Sequence, residues 1–154
     1  MVVGVISDTH GLLRDEALEA LHGVDHILHA GDVGDAGILA ALRELAPVTA
    51  IRGNIDTHGV CAELPPTEAI ELGGKLFYLV HSVHDLDIDP EAADVAVVVS
   101  GHSHQPRIDR RGSVLYLNPG SAGPRRFKLP VSIARVTLAD AEITAQIVEL
   151  NVRR

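Results

Sequence analysis

Aromatic side chains are scarce in this chain: two Phe, two Tyr and no Trp among 154 residues. Its core must therefore be aliphatic. A single Cys rules out an internal disulfide framework and makes a reducing compartment the default. Positive charge is scarce too. Thirteen Lys and Arg against 21 Asp and Glu leave a formal charge of -8. That balance disfavours a stable nucleic-acid complex held by a broad basic face. No apolar run approaches the ~20 residues of a membrane span. The opening "MVVGVISDTH" is too short an apolar run for a signal peptide and has no basic start. Linkers, low-complexity tracts and sequence repeats are missing as well. The expectation is one cytoplasmic domain over residues 1–154, soluble and without membrane association.

What is present is an architectural rhythm. Runs rich in Val and Ile recur as "VVGVIS", "HILHAG", "VTAIRG", "KLFYLV" and "VAVVVSG". Such runs read as strands buried on both faces of a parallel or mixed sheet. Between the first two, "RDEALEALHG" reads as a helix with Asp15 and Glu16 in its first turn and Gly23 as its stop. Between the second and third, "GDAGILAALRELAP" reads as another. Asp35 caps it, Ile38, Leu42 and Leu45 form its apolar stripe, and Pro47 ends it. "TEAIELGGKLFYLV" reads as a hairpin around Gly73 and Gly74. After residue 106, "SVLYLN", "PVSIARVTL" and "EITAQIVEL" read as antiparallel strands, with turns at Arg111-Gly112 and Asp140. The mixture predicts an α/β fold with two packed sheets and helices outside.

The ends of the buried runs carry the chemistry. Asp8 and His10 follow the first, Asp32 the second, Asn54 the third, His81 the fourth, and His102 and His104 the fifth. Ligands collect beyond the carboxyl ends of strands in α/β sheets, so these seven residues should converge. The i, i+2 spacing of Asp8 with His10, and of His102 with His104, sends paired side chains to one face of an extended segment. Imidazole and carboxylate without thiolate suit Zn, Mn, Fe, Co or Ni. Seven ligands are too many for one tetrahedral ion but suffice for two if a carboxylate bridges. Two ions roughly 3.5–4 Å apart can activate water and clamp a phosphoryl centre. Taken singly, an Asp at a strand end is ordinarily a cap, a lone His a structural residue, and Gly-Asn a turn. Five strand ends together defeat those readings.

"DTH" at 8–10, "GD" at 31–32, "GN" at 53–54, His81 and "GHSH" at 101–104 resemble, in order, the motif set of the calcineurin-like metallophosphoesterases. "HAGD" and "LNPGSAGPRR" make the chain most similar to the small single-domain prokaryotic phosphodiesterases of that superfamily. The resemblance implies a four-layer αββα sandwich of two mixed β-sheets flanked by helices. It implies a hydrolase acting on a small phosphodiester or other phosphate ester. It places one divalent transition-metal ion on Asp8, His10, Asp32 and His104. The other falls on Asp32, Asn54, His81 and His102, with Asp32 bridging. Manganese is the first expectation for the metal, with Ni, Co, Fe or Zn also fitting. A metal-bound hydroxide would attack phosphorus in line, so Asp32, Asn54 and His81 act through the metals. Homo-oligomers are common in the resembled branch.

Two departures stand out. Many relatives follow the metal-binding Asn with a His thought to protonate the leaving oxygen; here Ile55 stands there, and no general acid is assigned. "HSVH" has Ser82 where relatives usually have Gly. His84, His58 and His29 are candidate replacements for the donor, while His22 and His26 read as structural or solvated. Arg125 and Arg126, and similarly Arg52, either contact substrate phosphate or lie in solvated turns. Two alternatives accompany the phosphodiesterase. One is a phosphomonoesterase or nucleotidase using the same site. The other is a non-catalytic interaction scaffold, the use one eukaryotic branch, a retromer subunit, makes of this fold.

Overall fold

The computed structural model describes residues 1–152. All five Val/Ile-rich runs are strands: β1 (Val2–Ile6), β2 (His26–His29), β3 (Val48–Ala50), β5 (Lys75–Val80) and β6 (Val97–Val99). Helix α1 (Asp15–Ala20) joins β1 to β2, and α2 (Ala36–Arg43) joins β2 to β3. Asp35 caps α2, its carboxylate accepting from the Gly37 N–H at 2.9 Å. A single turn, α3 (Gly59–Ala62), precedes β4 (Thr67–Leu72), which pairs antiparallel with β5 across Gly73-Gly74. The chain ends with β7 (Arg107–Arg111), β8 (Val114–Asn118), β9 (Ser132–Ala139) and β10 (Glu142–Glu149).

These form two mixed five-stranded sheets, β10-β9-β1-β2-β3 and β4-β5-β6-β8-β7. Alternation along each strand decides what each face buries. Val3 and Val5 of β1, with Ala134 and Val136 of β9, meet Phe77 and Leu79 of β5, Val97 and Val99 of β6, and Leu117 of β8 between the sheets. The opposite face of the first sheet, through Ile6 and Ile27, takes Ala17 and Leu21 near α1 and Leu39 and Leu42 of α2. The outer face of the second sheet carries Tyr78, Val80, Val98 and Val114. Its cover is mostly irregular chain between Ser82 and Val95, with one 3-10 turn at Val83–Asp85, and it contributes Leu86 and Ile88. Asp87 anchors that cover by accepting from the Tyr78 hydroxyl at 2.7 Å. The fourth layer is therefore thin.

Two details differ from the sequence-based expectation. β8 pairs parallel with β6, so only its β7 side is antiparallel. β7 itself, "RIDRR", has no apolar alternation because it is an edge strand with mostly exposed residues. Charged residues on an edge discourage further pairing, and the same charges hide the strand from hydropathy.

Phe77, fully buried between the sheets, is the largest of the fully buried side chains. Phe77→Ala should lower the unfolding free energy of metal-free protein by about 3–5 kcal/mol. Equilibrium urea denaturation reads this directly, and a loss below about 1 kcal/mol would contradict a close-packed centre there.

Candidate metal centre

Strands β1, β2 and β3 run parallel in one sheet, as β5 and β6 do in the other. Their carboxyl ends open on one edge of the sandwich and bring the predicted residues together. Asp8 Oδ1 lies 3.8 Å from His10 Nε2, 3.8 Å from His81 Nε2 and 3.5 Å from His104 Nε2. Asp32 Oδ2 sits between His10 Nε2 at 3.4 Å and His81 Nε2 at 3.2 Å. Two groups result, Asp8-His10-His104 and Asp32-His81-His102, each with donor atoms within 4.8 Å of one another. The rings of His10 and His104, and of His81 and His102, are each paired at 5.2 Å between centroids.

The donor atoms are aimed from behind. Asp8 Oδ2 accepts from the Ser7 hydroxyl at 2.7 Å and the His102 N–H at 3.0 Å, leaving Oδ1 facing the cluster. Asp32 Oδ1 accepts from the Ile55 N–H at 3.1 Å, leaving Oδ2 inward. His81 Nδ1–H donates to the Ala30 carbonyl at 2.7 Å, which fixes the tautomer with the Nε2 lone pair inward. Asp8 Oδ1, His10 Nε2, His81 Nε2 and His104 Nδ1 are buried without a hydrogen-bond partner. Buried polar atoms are rarely orphaned. Four such atoms from separate positions around one cluster, all nitrogen or carboxylate oxygen, fit divalent cations.

The electrostatics agree. Burial works against the Asp32 carboxylate, but His81 and the Ile55 N–H outweigh it and hold its pKa down at about 2. His10 is raised, chiefly by the nearby Asp8 carboxylate. His81 is raised as well: burial opposes protonation, while Asp32, the Ala30 carbonyl and Asp8 favour it. His104 is lowered by burial, against the pull of Asp8. Without metals, His10 and His81 thus hold a proton more readily than a free imidazole, and a cation bound there would displace it.

Backbone conformation completes the site. Asp8, His10, Asp32, His102 and His104 have φ of 56°, 47°, 56°, 71° and 63°. Asp and His tolerate the left-handed region better than most residues, and such outliers concentrate at functional sites. Gly53 presses against the Asp32 carboxylate and Gly101 against Ser7 and Asp8, so a Cβ at either position would collide with site atoms.

Asn54 is exposed on the loop whose next residue donates to Asp32. His102 is exposed too, so the centre opens on that side. Arg126 is exposed, and its charge lowers the proton affinity of His10 and His104, which places it on their side. Arg125 is exposed. Arg52 donates to the Leu64 carbonyl at 3.0 Å and pins its own loop. Among the candidate donors, His58 is exposed and bonded to the Thr57 hydroxyl. His84 is exposed and lines a cleft that also contains His102. His26 bonds Thr49 at 2.8 Å across β2 and β3, and His22 is solvated.

His29 is no proton donor to substrate. It is fully buried, its Nδ1 accepts from the Gly31 N–H at 3.1 Å, and its Nε2–H faces the Thr9 hydroxyl at 3.1 Å. Thr9 in turn donates to the Val33 carbonyl at 2.8 Å. This relay ties the Asp8-His10 loop to the Asp32 loop.

Sequence reasoning missed a second tie. Asp56 is buried and accepts from the N–H groups of Val33 at 3.1 Å, Gly34 at 2.9 Å and Gly53 at 2.8 Å. It fastens the Asp32 loop to the Asn54 loop. The signal available was a carboxylate two residues after Asn54, which reads as an ordinary turn residue.

Comparison with known proteins places the chain in a family. The family model for the calcineurin-like phosphoesterase superfamily domain matches residues 1–141. The chain belongs to that superfamily and is a metallophosphoesterase. A relative named probable metallophosphoesterase, from Methanocaldococcus jannaschii, is 37% identical over 91% of this chain and 77% of its own length. The phosphodiesterase YfcE of Escherichia coli is 28% identical over 92% of this chain and 94% of its own. Among solved structures, an archaeal phosphodiesterase superposes with a TM-score of 0.79 at 22% identity, covering 96% of this chain and 100% of that one. That last likeness is one of fold.

Burial lowers the His29 pKa from 6.5 to about 4, against the pull of Asp8. Between those values the unfolded chain binds a proton that the folded chain does not. The His29 contribution to stability is therefore whole above pH 6.5 and falls as pH drops toward 4, by roughly 3 kcal/mol in all. Denaturation of metal-free protein across this window should show a steeper pH slope in wild type than in His29→Gln. Equal slopes would refute the assignment.

Proposed function

We propose that this protein is a phosphodiesterase working with two divalent ions. Asp8, His10, Asp32 and His104 hold one; Asp32, Asn54, His81 and His102 hold the other. The observation that carries this reading is the position of Asp32 Oδ2, 3.4 Å from His10 Nε2 and 3.2 Å from His81 Nε2. One carboxylate oxygen reaches an imidazole of each group, as a bridging ligand must. Such ion pairs supply a nucleophilic water at neutral pH and neutralise charge at phosphorus.

The chain's own residues do the rest. Ser7, the His102 N–H, the Ile55 N–H and the Ala30 carbonyl hold the inner donors to one orientation each. The exposed residues His102 and Asn54 mark the side from which a phosphoryl group enters. Arg126, on the side of His10 and His104, adds positive charge in an otherwise acidic protein. The ester class follows the phosphodiesterases among the relatives, and the same centre would accept a phosphomonoester. Manganese is the first metal to test, since the donor set also accepts Ni, Co, Fe or Zn.

Metal analysis of protein reconstituted with manganese should find two ions per chain, and Asn54→Ala should retain fewer. Hydrolysis of a phosphodiester, against phosphomonoester and cyclic nucleotide controls, should fall at least ~100-fold in that variant. Undiminished activity, or stoichiometric single-ion loading, would sink the two-ion reading.

Ile55 cannot give a proton, so rates should fall steeply as the leaving group becomes more basic. Aryl diesters should turn over much faster than alkyl ones, and Ile55→His should flatten the dependence. A flat wild-type dependence on leaving-group pKa would reveal another acid.

A further inference from the structure

The thin fourth layer leaves a cleft of about 410 Å³ against the second sheet, lined among others by His84, His102, Arg107, Arg111, Tyr116 and Asn118. A larger depression of about 810 Å³, bordered by Glu71, Asp94 and Glu142, holds none of the metal-ligand candidates. The smaller cleft begins at the metal centre. Asn118 Nδ2 donates to the Gly101 carbonyl at 3.0 Å and the Ser103 hydroxyl at 3.1 Å, bracing the chain on both sides of His102.

Register then dictates what lies along the cleft. Arg107 pairs with Asn118, Asp109 with Tyr116, and Arg111 with Val114. Residues 107, 109 and 111 share one face of β7, beside 116 and 118 of β8. Arg111 is held in place: its Nε donates to Asp109 Oδ2 at 2.9 Å and its guanidinium stacks on the Tyr116 ring at 4.8 Å. Arg107 Nη2 lies 3.6 Å from the same carboxylate. Two guanidiniums and one carboxylate leave this face net positive, in a chain of net charge -8. Arg107 stands across from the residue that braces His102. Arg111 lies four residues further along the strand, roughly 13 Å away at the usual strand rise.

Resting on the phosphodiesterase reading, we infer that this cleft is a subsite for one arm of the substrate, and that the arm carries a second anionic group, a phosphate, recognised by Arg107 and Arg111. A guanidinium stacked on Tyr116 also keeps its outer face for a planar ring. The class of substrate is a nucleotide-like diester bearing a further phosphate.

The test uses manganese-loaded protein and two substrates with the same leaving group: the p-nitrophenyl ester of a nucleoside monophosphate, with and without a second phosphate on the sugar. Wild type should show higher kcat/KM with the second phosphate. The double variant Arg107→Gln/Arg111→Gln should lose about 10-fold more on that substrate than on the plain one. The plain diester serves as the folding control, since the two arginine side chains are 66% and 59% exposed. Calorimetry with a nucleoside bisphosphate gives a readout independent of turnover, and the double variant should bind it about 10-fold more weakly. No preference in wild type, an equal loss on both substrates, or unchanged bisphosphate binding would each overturn the subsite. If neither substrate is hydrolysed while bisphosphate binding still depends on the arginines, the subsite stands and the phosphodiesterase reading falls.

Discussion

Two carboxylates, Asp8 and Asp32, are buried within reach of the same histidines. Burial of ionised groups without compensation is prohibitively costly, and most of the site's construction answers that cost. Each carboxylate has its outer oxygen satisfied by donors of the chain, and each points its inner oxygen at imidazoles. The compensation inside is electrostatic and comes from protons or cations. A protein organised in this way holds a standing affinity for positive charge at one end of its sandwich.

That demand is met by loops, and the loops are held by one another. The strands deliver Asp8, Asp32, His81 and His102 to one edge but do not set their final positions. Position is set by the His29-Thr9 relay, by Asp56 gathering three amides, and by Asn118 bracing the turn around His102. Five site residues adopt left-handed backbone, at roughly 1–3 kcal/mol each where the residue does not favour it. Such conformations persist because neighbouring hydrogen bonds over-determine them. Rigid placement of this kind is what catalysis by orientation requires.

The sequence carried the chemistry of the centre more plainly than its mechanics. Val/Ile runs identified five strands because buried parallel strands are apolar on both faces. The polar residues after them were conspicuous by contrast, and six of the seven converge with short donor-to-donor distances. Asn54 lies exposed on the neighbouring loop, next to Gly53, which presses against the Asp32 carboxylate. The supporting residues were harder to read. Asp56 and Asn118 look like turn and strand-end residues until their long-range partners are known. His29 looks like any other histidine until its burial is known. β7 was invisible because an edge strand is selected for charge instead of alternation. Those same charges turn the cleft into a cationic surface.

The loop from Gly53 to Asp56 separates holding from tuning. Its main chain is pinned on both sides of position 55: the Ile55 N–H serves Asp32, and the Asp56 side chain clamps three amides. The residue itself is 44% exposed, and the bond it gives to Asp32 is through its main chain. Position 55 thus behaves as an interchangeable socket. A different side chain can stand there while the main-chain N–H bonds that hold Asp32, Val33, Gly34 and Gly53 stay as they are.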